Sequence, residues 1–448
     1  MMSVTISKTI KNHKKTIAIY GLGNVGGPIA ACWLRAGAKV IGVDISKKLL
    51  SDIKSGKSHS KEPFVTDIFS KSLKSGNFIL TDDGVKASKN SDIKIIVVPV
   101  GLKKNKSDLK YVISVSQTIS KGLKKGDAVL LSPSVPPGTT ENVVLPILEK
   151  HSKLKGEHDF FLIYNPERIF EGRAIQDIEE NYPAIVAGLG PKSLNFGNDF
   201  LKIISKKGVL KMSNLITAES EKLFEGVYRD VNIALANQLS DYCEKIGINF
   251  WETRKGSNSQ PFCHLHYPGT GVGGLCIPVY PRIVIESSKN IGKSLKILEF
   301  SRTINDNMPI KCVNDALELL KKNGKSPKGK KIAILGLGFR GEVTDTRLSP
   351  TFEVIKQFLK HNCHVHVHDP YVKLDKLLPN SVLLSDKLTE VVTDADLIFV
   401  STDHQRYKKL NKNSFKKTKK PLLIFDGRNI LNRELLKNSS LVTLGIPK

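Results

Sequence analysis

Residues 14–44 read KKTIAIYGLGNVGGPIAACWLRAGAKVIGVD. An apolar run, Ile17 to Tyr20, meets a glycine turn at Gly21, Gly23 and Gly26. A helix-like stretch to Ala36 follows, then a second apolar run ending at Asp44. Strand, glycine turn, helix and strand in that order open a doubly wound sheet. The glycines let the backbone approach a pyrophosphate, and the helix N-terminus adds partial positive charge. Asp44 stands 18 residues past Gly26, where a carboxylate accepts from a ribose 2′-hydroxyl. The pattern predicts NAD rather than NADP, because an acid there disfavours an extra phosphate; Lys47 and Lys48 nearby act in the opposite sense.

Beyond Asp44, IKIIVVPV, DAVLLSPSV, FFLIYNPE and PAIVAGLG read as further short buried strands. From Ser213 the strands stop. NLITAESEKLFEGVYRDVNIALANQLSDYCEKIG carries apolar residues at Leu223, Val227, Ile233, Leu235 and Leu239, the spacing of a long helix. The helical part continues to about Leu320, broken by a glycine-rich loop at 268–274, and NGKSPKGKK then links to the last segment. That segment opens KKIAILGLGFRGEV, a second strand entering a second glycine turn at Gly336, Gly338 and Gly341. CHVHVHDP, ADLIFVSTD and PLLIFDGRN supply more strands. The expected architecture is α/β: two Rossmann-like doubly wound domains, 1–212 and 325–448, joined by a central helical segment, 213–324, with one long helix. The second turn has no acid at the spacing of the first, since Asp369 comes 33 residues after Gly336. Whether it cradles another phosphate or none stays open.

Composition narrows the class. The chain has 448 residues, 40% hydrophobic and 25% charged, which excludes a disordered, collagen-like or coiled-coil chain. No apolar run approaches the roughly 20 residues that cross a bilayer. The first fifteen residues lack a hydrophobic signal segment, so a soluble cytoplasmic protein is expected, with no membrane partner. Basic residues number 69 against 43 acidic, a net charge of +26. Such a field favours anionic partners. The lysines are scattered, however, without an arginine-rich tract or interleaved aromatics, so nucleic acid is not expected. Six dispersed cysteines, with no CxxC pair, read as reduced and intracellular.

Cys276 ends the loop YPGTGVGGLCIPVYP, whose glycines 269, 271, 273 and 274 leave backbone bare for a ligand. Two readings of it stay open, a thiolate nucleophile and a small buried thiol in a tight loop. Groups able to serve a nucleophile are Glu167 and Glu171 in NPERIFEGRA, Lys222 on the long helix, and the hydroxyls of SPSVPPGTT, Ser134 among them. His364, His366 and His368 alternate on one strand face. No further ligand is placed with them, and no metal is expected.

GLGNVG, SVPPGTT, NPERIFEGRAIQD, AESEKL…RDVNIALANQLSDYCEKIGI, PGTGVGGLCIPV, GLGFRG…DTRLSP and DGRN follow one another in a known order. Over nearly the whole chain they resemble the UDP-glucose/GDP-mannose dehydrogenase family. The likeness is greatest to its branch acting on UDP-N-acetylhexosamines (UDP-N-acetylmannosamine and UDP-N-acetylglucosamine). The resemblance implies oxidation of a sugar C6 alcohol to a carboxylate with two NAD, through a thiohemiacetal and a thioester on Cys276. It implies Glu167 as acid/base, Lys222 as oxyanion partner and Ser134 near the attacking water. NAD would rest on Gly21, Gly23, Asn24, Val25, Gly26, Asp44, Ser134 and Glu171. Glu167, Arg168, Ile169, Phe170, Lys222, Arg229, Gly273 and Gly274 would meet the substrate, with Arg340 and Arg428 on its UDP portion. A homodimer or higher homo-oligomer, paired through the long helix, is also implied. Four positions depart from the family pattern. Tyr280 stands for an Asp four residues after the nucleophile, and Gly226 for an Asn four after the Lys. Phe262 replaces an Arg, and Leu275 a His. A phenol is a poor substitute base for that carboxylate. A member with this pattern either oxidises its substrate with slow thioester hydrolysis or is a binding or regulatory protein that keeps the fold and NAD without the oxidation. A simpler two-electron alcohol dehydrogenase that releases aldehyde is a third, weaker reading.

Overall fold

The computed structural model describes residues 9–10, 12–13, 15–57, 62–103 and 106–447. It divides into two compact units, Met1–Phe224 and Glu225–Lys448. Among the described residues no helix is long and apolar enough to cross a membrane.

In the first unit the strands are β1 (Thr16–Tyr20), β2 (Lys39–Val43), β3 (Phe78–Thr81), β4 (Ile93–Ile96), β5 (Gly101–Lys103) and β6 (Lys106–Asp108). β7 (Ala128–Leu131), β8 (Phe161–Tyr164), β9 (Ala184–Gly188) and β10 (Val209–Lys211) complete them. Eight form one sheet in the order β10-β9-β8-β7-β4-β1-β2-β3, while β5 and β6 make a small ribbon. Pairing is parallel from β8 to β3. β9 turns antiparallel to β8 and carries β10 parallel to itself. The apolar runs of the sequence become central strands because both sheet faces are covered: β4 and β7 are buried at every position. Helix α1 (Gly26–Arg35) lays Ile29, Ala30 and Trp33 on one face.

The second unit holds a six-stranded parallel sheet ordered β13-β12-β11-β14-β15-β16. Its strands are β11 (Lys331–Leu335), β12 (His364–His368), β13 (Leu383–Ser385), β14 (Leu397–Val400), β15 (Leu423–Asp426) and β16 (Ser440–Thr443). Strand order steps outward in both directions from β11, as it does from β1, so the repeat of one fold expected from the two glycine turns is present. The long helix is α2 (Leu215–Ile246). After it come α3 (Tyr280–Asn290) and α4 (Lys296–Lys322), with the glycine-rich loop ahead of α3.

The second turn differs from expectation in one respect. No helix opens on its glycines; the next helix, α5, spans Thr351–Lys360. The loop between, residues 336–350, follows its own course.

Candidate functional site

The first glycine turn has the form of a dinucleotide cradle. Gly21 lies at φ +100°, and a β-carbon there would strike the Val97 carbonyl; one on Gly26 would strike the carbonyl of Gly21. A β-carbon on Gly23 would find nothing within 4 Å, which leaves the approach open to a ligand. Asn24 is exposed and Val25 half-buried beside it. No side chain caps the N-terminus of α1, and its first turn has no acid, so the helix end stays electropositive. Asp44 accepts from the Leu22 amide at 2.9 Å and from Ser46 at 2.8 Å, and is only half-buried. These residues fit a dinucleotide.

The second turn uses the same parts to close itself. Asp369, at the end of β12, accepts from Leu337 N at 2.7 Å, just as Asp44 accepts from Leu22 N. The structure therefore supplies the acid that sequence spacing missed; the delayed start of α5 lengthens the interval. Asp369 is fully buried and accepts also from Gly338, Tyr371 and Val372 N. His404 Nδ1 accepts from Glu342 N, so its Nε2–H is left to donate to Asp369 at 3.2 Å. This partner holds Asp369 down to about 2 against the opposing effect of burial. A β-carbon on Gly336 would strike Thr402, and one on Gly338 would lie 3.3 Å from the Arg340 carbonyl. Fully buried and spent on its own backbone, the Asp369 carboxylate is not open to a ribose as the half-buried Asp44 is.

Loops at the C-terminal ends of β7 and β8 carry Ser134, Glu167 and Glu171. They are laced together by backbone: Asn165 N donates to Leu131 O at 3.0 Å and Glu167 N to Ser132 O at 3.3 Å. The Tyr164 hydroxyl, buried, donates to Pro133 O at 3.1 Å. Ile169 N donates to Glu167 Oε2 at 3.2 Å, so that carboxylate is turned along its own loop. Arg168 stacks over Tyr182 at 4.9 Å and faces Glu221 at 3.8 Å. Asp177 takes the Phe170 amide, and buried Glu62 the Ala174 amide at 2.9 Å. Glu167 lines a cavity of about 60 Å³ with Ser132, Asn165, Arg168, Ile169 and Tyr182. Lys222 is buried on α2. Sequence reasoning missed Glu219, one turn earlier, whose buried carboxylate takes the Thr140 amide at 2.8 Å and hydroxyl at 2.6 Å.

In the second unit Cys276 is exposed, and its carbonyl accepts from Tyr280 N at 2.9 Å as α3 begins. The loop glycines are not bare as expected. A β-carbon on Gly269 would lie 2.5 Å from Arg428 Nη1, and one on Gly273 2.6 Å from Phe339 Cβ; Gly274 packs on the Phe339 ring. They are small because other parts of the chain press on them. Arg428 Nε donates to Ser401 O at 2.8 Å, and its charge helps hold the Asp403 carboxyl low. Arg340 is half-buried and Arg229 exposed. Asp230 also went unread in the sequence. It is buried with Arg302, accepts from Asn305 at 2.8 Å, and Asn305 in turn accepts from Asn237 at 2.9 Å. Asn237 Oδ1 takes the Gly269 amide at 3.0 Å, so this chain fixes the start of the thiol loop. Along β12 His364 is exposed, His366 half-buried and His368 buried against Tyr407 at 2.8 Å.

An open dinucleotide cradle followed by a helical segment and a second Rossmann-like sheet is the architecture of a two-unit, dinucleotide-binding protein. Three family profiles match in order: the NAD-binding domain of the UDP-glucose/GDP-mannose dehydrogenase family over residues 15–202, its central domain over 216–307 and its UDP-binding domain over 333–433. The chain belongs to this family. It is 33% identical to the UDP-N-acetyl-D-mannosamine dehydrogenase of Pyrococcus horikoshii, over 93% of this chain and 96% of that protein. The solved structure of UDP-D-ManNAc dehydrogenase from P. horikoshii superposes with a TM-score of 0.88 at 31% identity, covering 96% and 99% of the two chains. The NDP-N-acetyl-D-galactosaminuronic acid dehydrogenase from Methanosarcina mazei follows, with a TM-score of 0.83 at 30% identity over 98% of each.

Proposed function

We propose that this protein oxidises the C6 alcohol of a UDP-N-acetylhexosamine, foremost UDP-N-acetylmannosamine, to the uronate. The reading is carried by the similarity along the whole chain to relatives named for that substrate, together with the exposed thiol of Cys276. NAD, when bound, accepts the two electrons of each of two oxidations. Glu167 takes the C6 hydroxyl proton as the alcohol becomes an aldehyde. Cys276 Sγ adds to the aldehyde carbon, and Lys222 offsets the charge on its oxygen. The second oxidation leaves a thioester; water, beside Ser134, then cleaves the C–S bond and returns the thiol. Arg340 and Arg428 hold the diphosphate. In this reading Arg168, Ile169, Phe170, Arg229, Gly273 and Gly274 shape the sugar pocket, and Asn24, Val25 and Glu171 complete the NAD site.

Tyr280 in place of a carboxylate makes hydrolysis the slow step, because losing a general base costs on the order of 100-fold. The test is NADH yield per sugar consumed, with intact mass spectrometry of the protein. Two NADH per sugar and an acyl adduct on Cys276 are expected. Tight NAD and UDP-sugar binding without reduction would replace this reading with a binding protein. One NADH per sugar would make it a simple alcohol dehydrogenase.

A second copy of the chain is the proposed partner of α2. Phe224, Tyr228, Leu235, Tyr242 and Ile246 are exposed along it at steps of four and seven, the seam of a helix that packs on another. Light scattering of the purified protein should give a dimer or larger; a monomer rejects the pairing.

A further inference from the structure

We propose that Glu219 is a positioning residue that keeps the loop carrying Ser134 in register with Lys222. The proposal rests on the oxidation just described, and adds to it a group that touches neither substrate nor cofactor.

After β7 the chain runs SPSVPPGTT into a helix whose first turns, Thr140–Val144, are wound as π-helix before Leu145–Ser152 continues as α. No side chain from the helix's own start caps it. The cap comes instead from Glu219, about eighty residues later. One carboxylate oxygen accepts from Thr140 N at 2.8 Å and Thr140 Oγ1 at 2.6 Å, and the other from Gly138 N at 2.5 Å. The side chain is wholly buried. Burial pushes its carboxyl upward, and the three donors pull it back. Hydrogen bonds to a carboxylate are shorter and roughly twice as strong as neutral ones. Glu219 therefore does what a capping residue does for the first amides of a helix, but from another element.

The far end of the same loop is held as well. Tyr164, buried on β8, donates to Pro133 O, and Glu167 N donates to Ser132 O. Ser134 lies between the two fixed points. Glu219 and Lys222, three apart on α2, lie on one helix face. A single carboxylate thus connects the hydroxyl proposed to attend the water with the amine proposed to attend the oxyanion. Misplacement of such groups by about 1 Å costs on the order of 100-fold in rate.

Glu219→Gln keeps the shape but turns one oxygen into an NH₂ that faces an N–H donor. Thr140→Val removes one of three donors and leaves the carboxylate buried and bonded, so it folds where the first variant fails to. In the full-length protein, Glu219→Gln should lower kcat about tenfold or more and leave the KM for NAD within about twofold. Hydrogen exchange of amides 138–144 should rise in the same variant. Thr140→Val should show the same signature at a few-fold. A variant that loses thermal stability but keeps its kcat overturns the positioning role. If the unaltered protein reduces no NAD with any UDP-sugar, the oxidation reading falls by itself. The clamp is then judged on exchange alone, and unchanged exchange at 138–144 overturns it.

Discussion

A β-carbon placed on Gly226 would lie 2.5 Å from Cδ2 of Tyr280 and 3.1 Å from its Cβ and Cγ. The two departures from the family pattern are therefore one change. The Tyr280 ring, buried, lies against α2 where a side chain at 226 would stand. Neither the family's Asn at 226 nor any larger group fits beside this ring unless it moves. Glycine inside a helix costs about 1 kcal/mol relative to alanine, and here the ring requires it.

That relationship reverses the usual sign of a glycine substitution. Gly226→Ala should destabilise the protein by about 1–3 kcal/mol, as overpacking does, instead of stabilising it by about 1 kcal/mol. Adding Tyr280→Ala should recover most of the helix-propensity gain. A denaturation double-mutant cycle measures the coupling, and a stable Gly226→Ala would mean that the ring yields freely.

Asp44 and Asp369 make the same bond to the same place in their turns, and the predicted consequences of removing them differ. Asp44→Ala should weaken NAD binding about ten- to a hundredfold, since a half-exposed carboxylate loses its ribose partner. Folding should change little. Asp369→Ala should leave NAD affinity alone and lower stability by about 3 kcal/mol or more, because four amides, three of them buried, lose their acceptor. Calorimetry with NAD and urea denaturation of both variants separate the two. Weakened NAD binding by Asp369→Ala would show that the second turn is not closed.

The sequence spoke clearly where chemistry is local. Apolar runs of four or five residues, buried on both sides, became the strands of both sheets. The Gly21–Gly26 turn with Asp44 was legible because strand, turn, helix and acid follow within one βαβ unit. The second acid was not, since the loop 336–350 delays α5 and spoils the count to Asp369. Glu219 and Asp230 look like ordinary surface charges of a helix; only packing shows that each is buried on partners far along the chain. The loop glycines suggest room for a ligand, but Phe339, Pro350 and Arg428 fill that room. Gly226 and Tyr280 stand as separate departures in the sequence, because nothing local says that residues 54 apart share one volume.

The pH dependence of the second unit should run through His368. Burial, seconded by the charge of Arg406, lowers it to about 4 from 6.5. Its Nδ1 meets the Tyr407 hydroxyl and its Nε2 the Asp386 carbonyl. A histidine with a lowered folded value binds fewer protons folded than unfolded between about 4 and 6.5. Stability is therefore full above that window and falls as the pH drops through it, by about 3 kcal/mol at most for a shift of this size. His366, lowered on the same strand, acts with the same sign. Asp369, held at about 2, keeps its contribution across the window and loses it only below its unfolded value near 4. Urea denaturation at pH 7 and pH 5, followed by amide exchange in β12, should show the loss in the unaltered protein. In His368→Gln the difference between the two pH values should shrink by more than half, whatever its absolute stability. An undiminished difference would place the acid sensitivity in other groups.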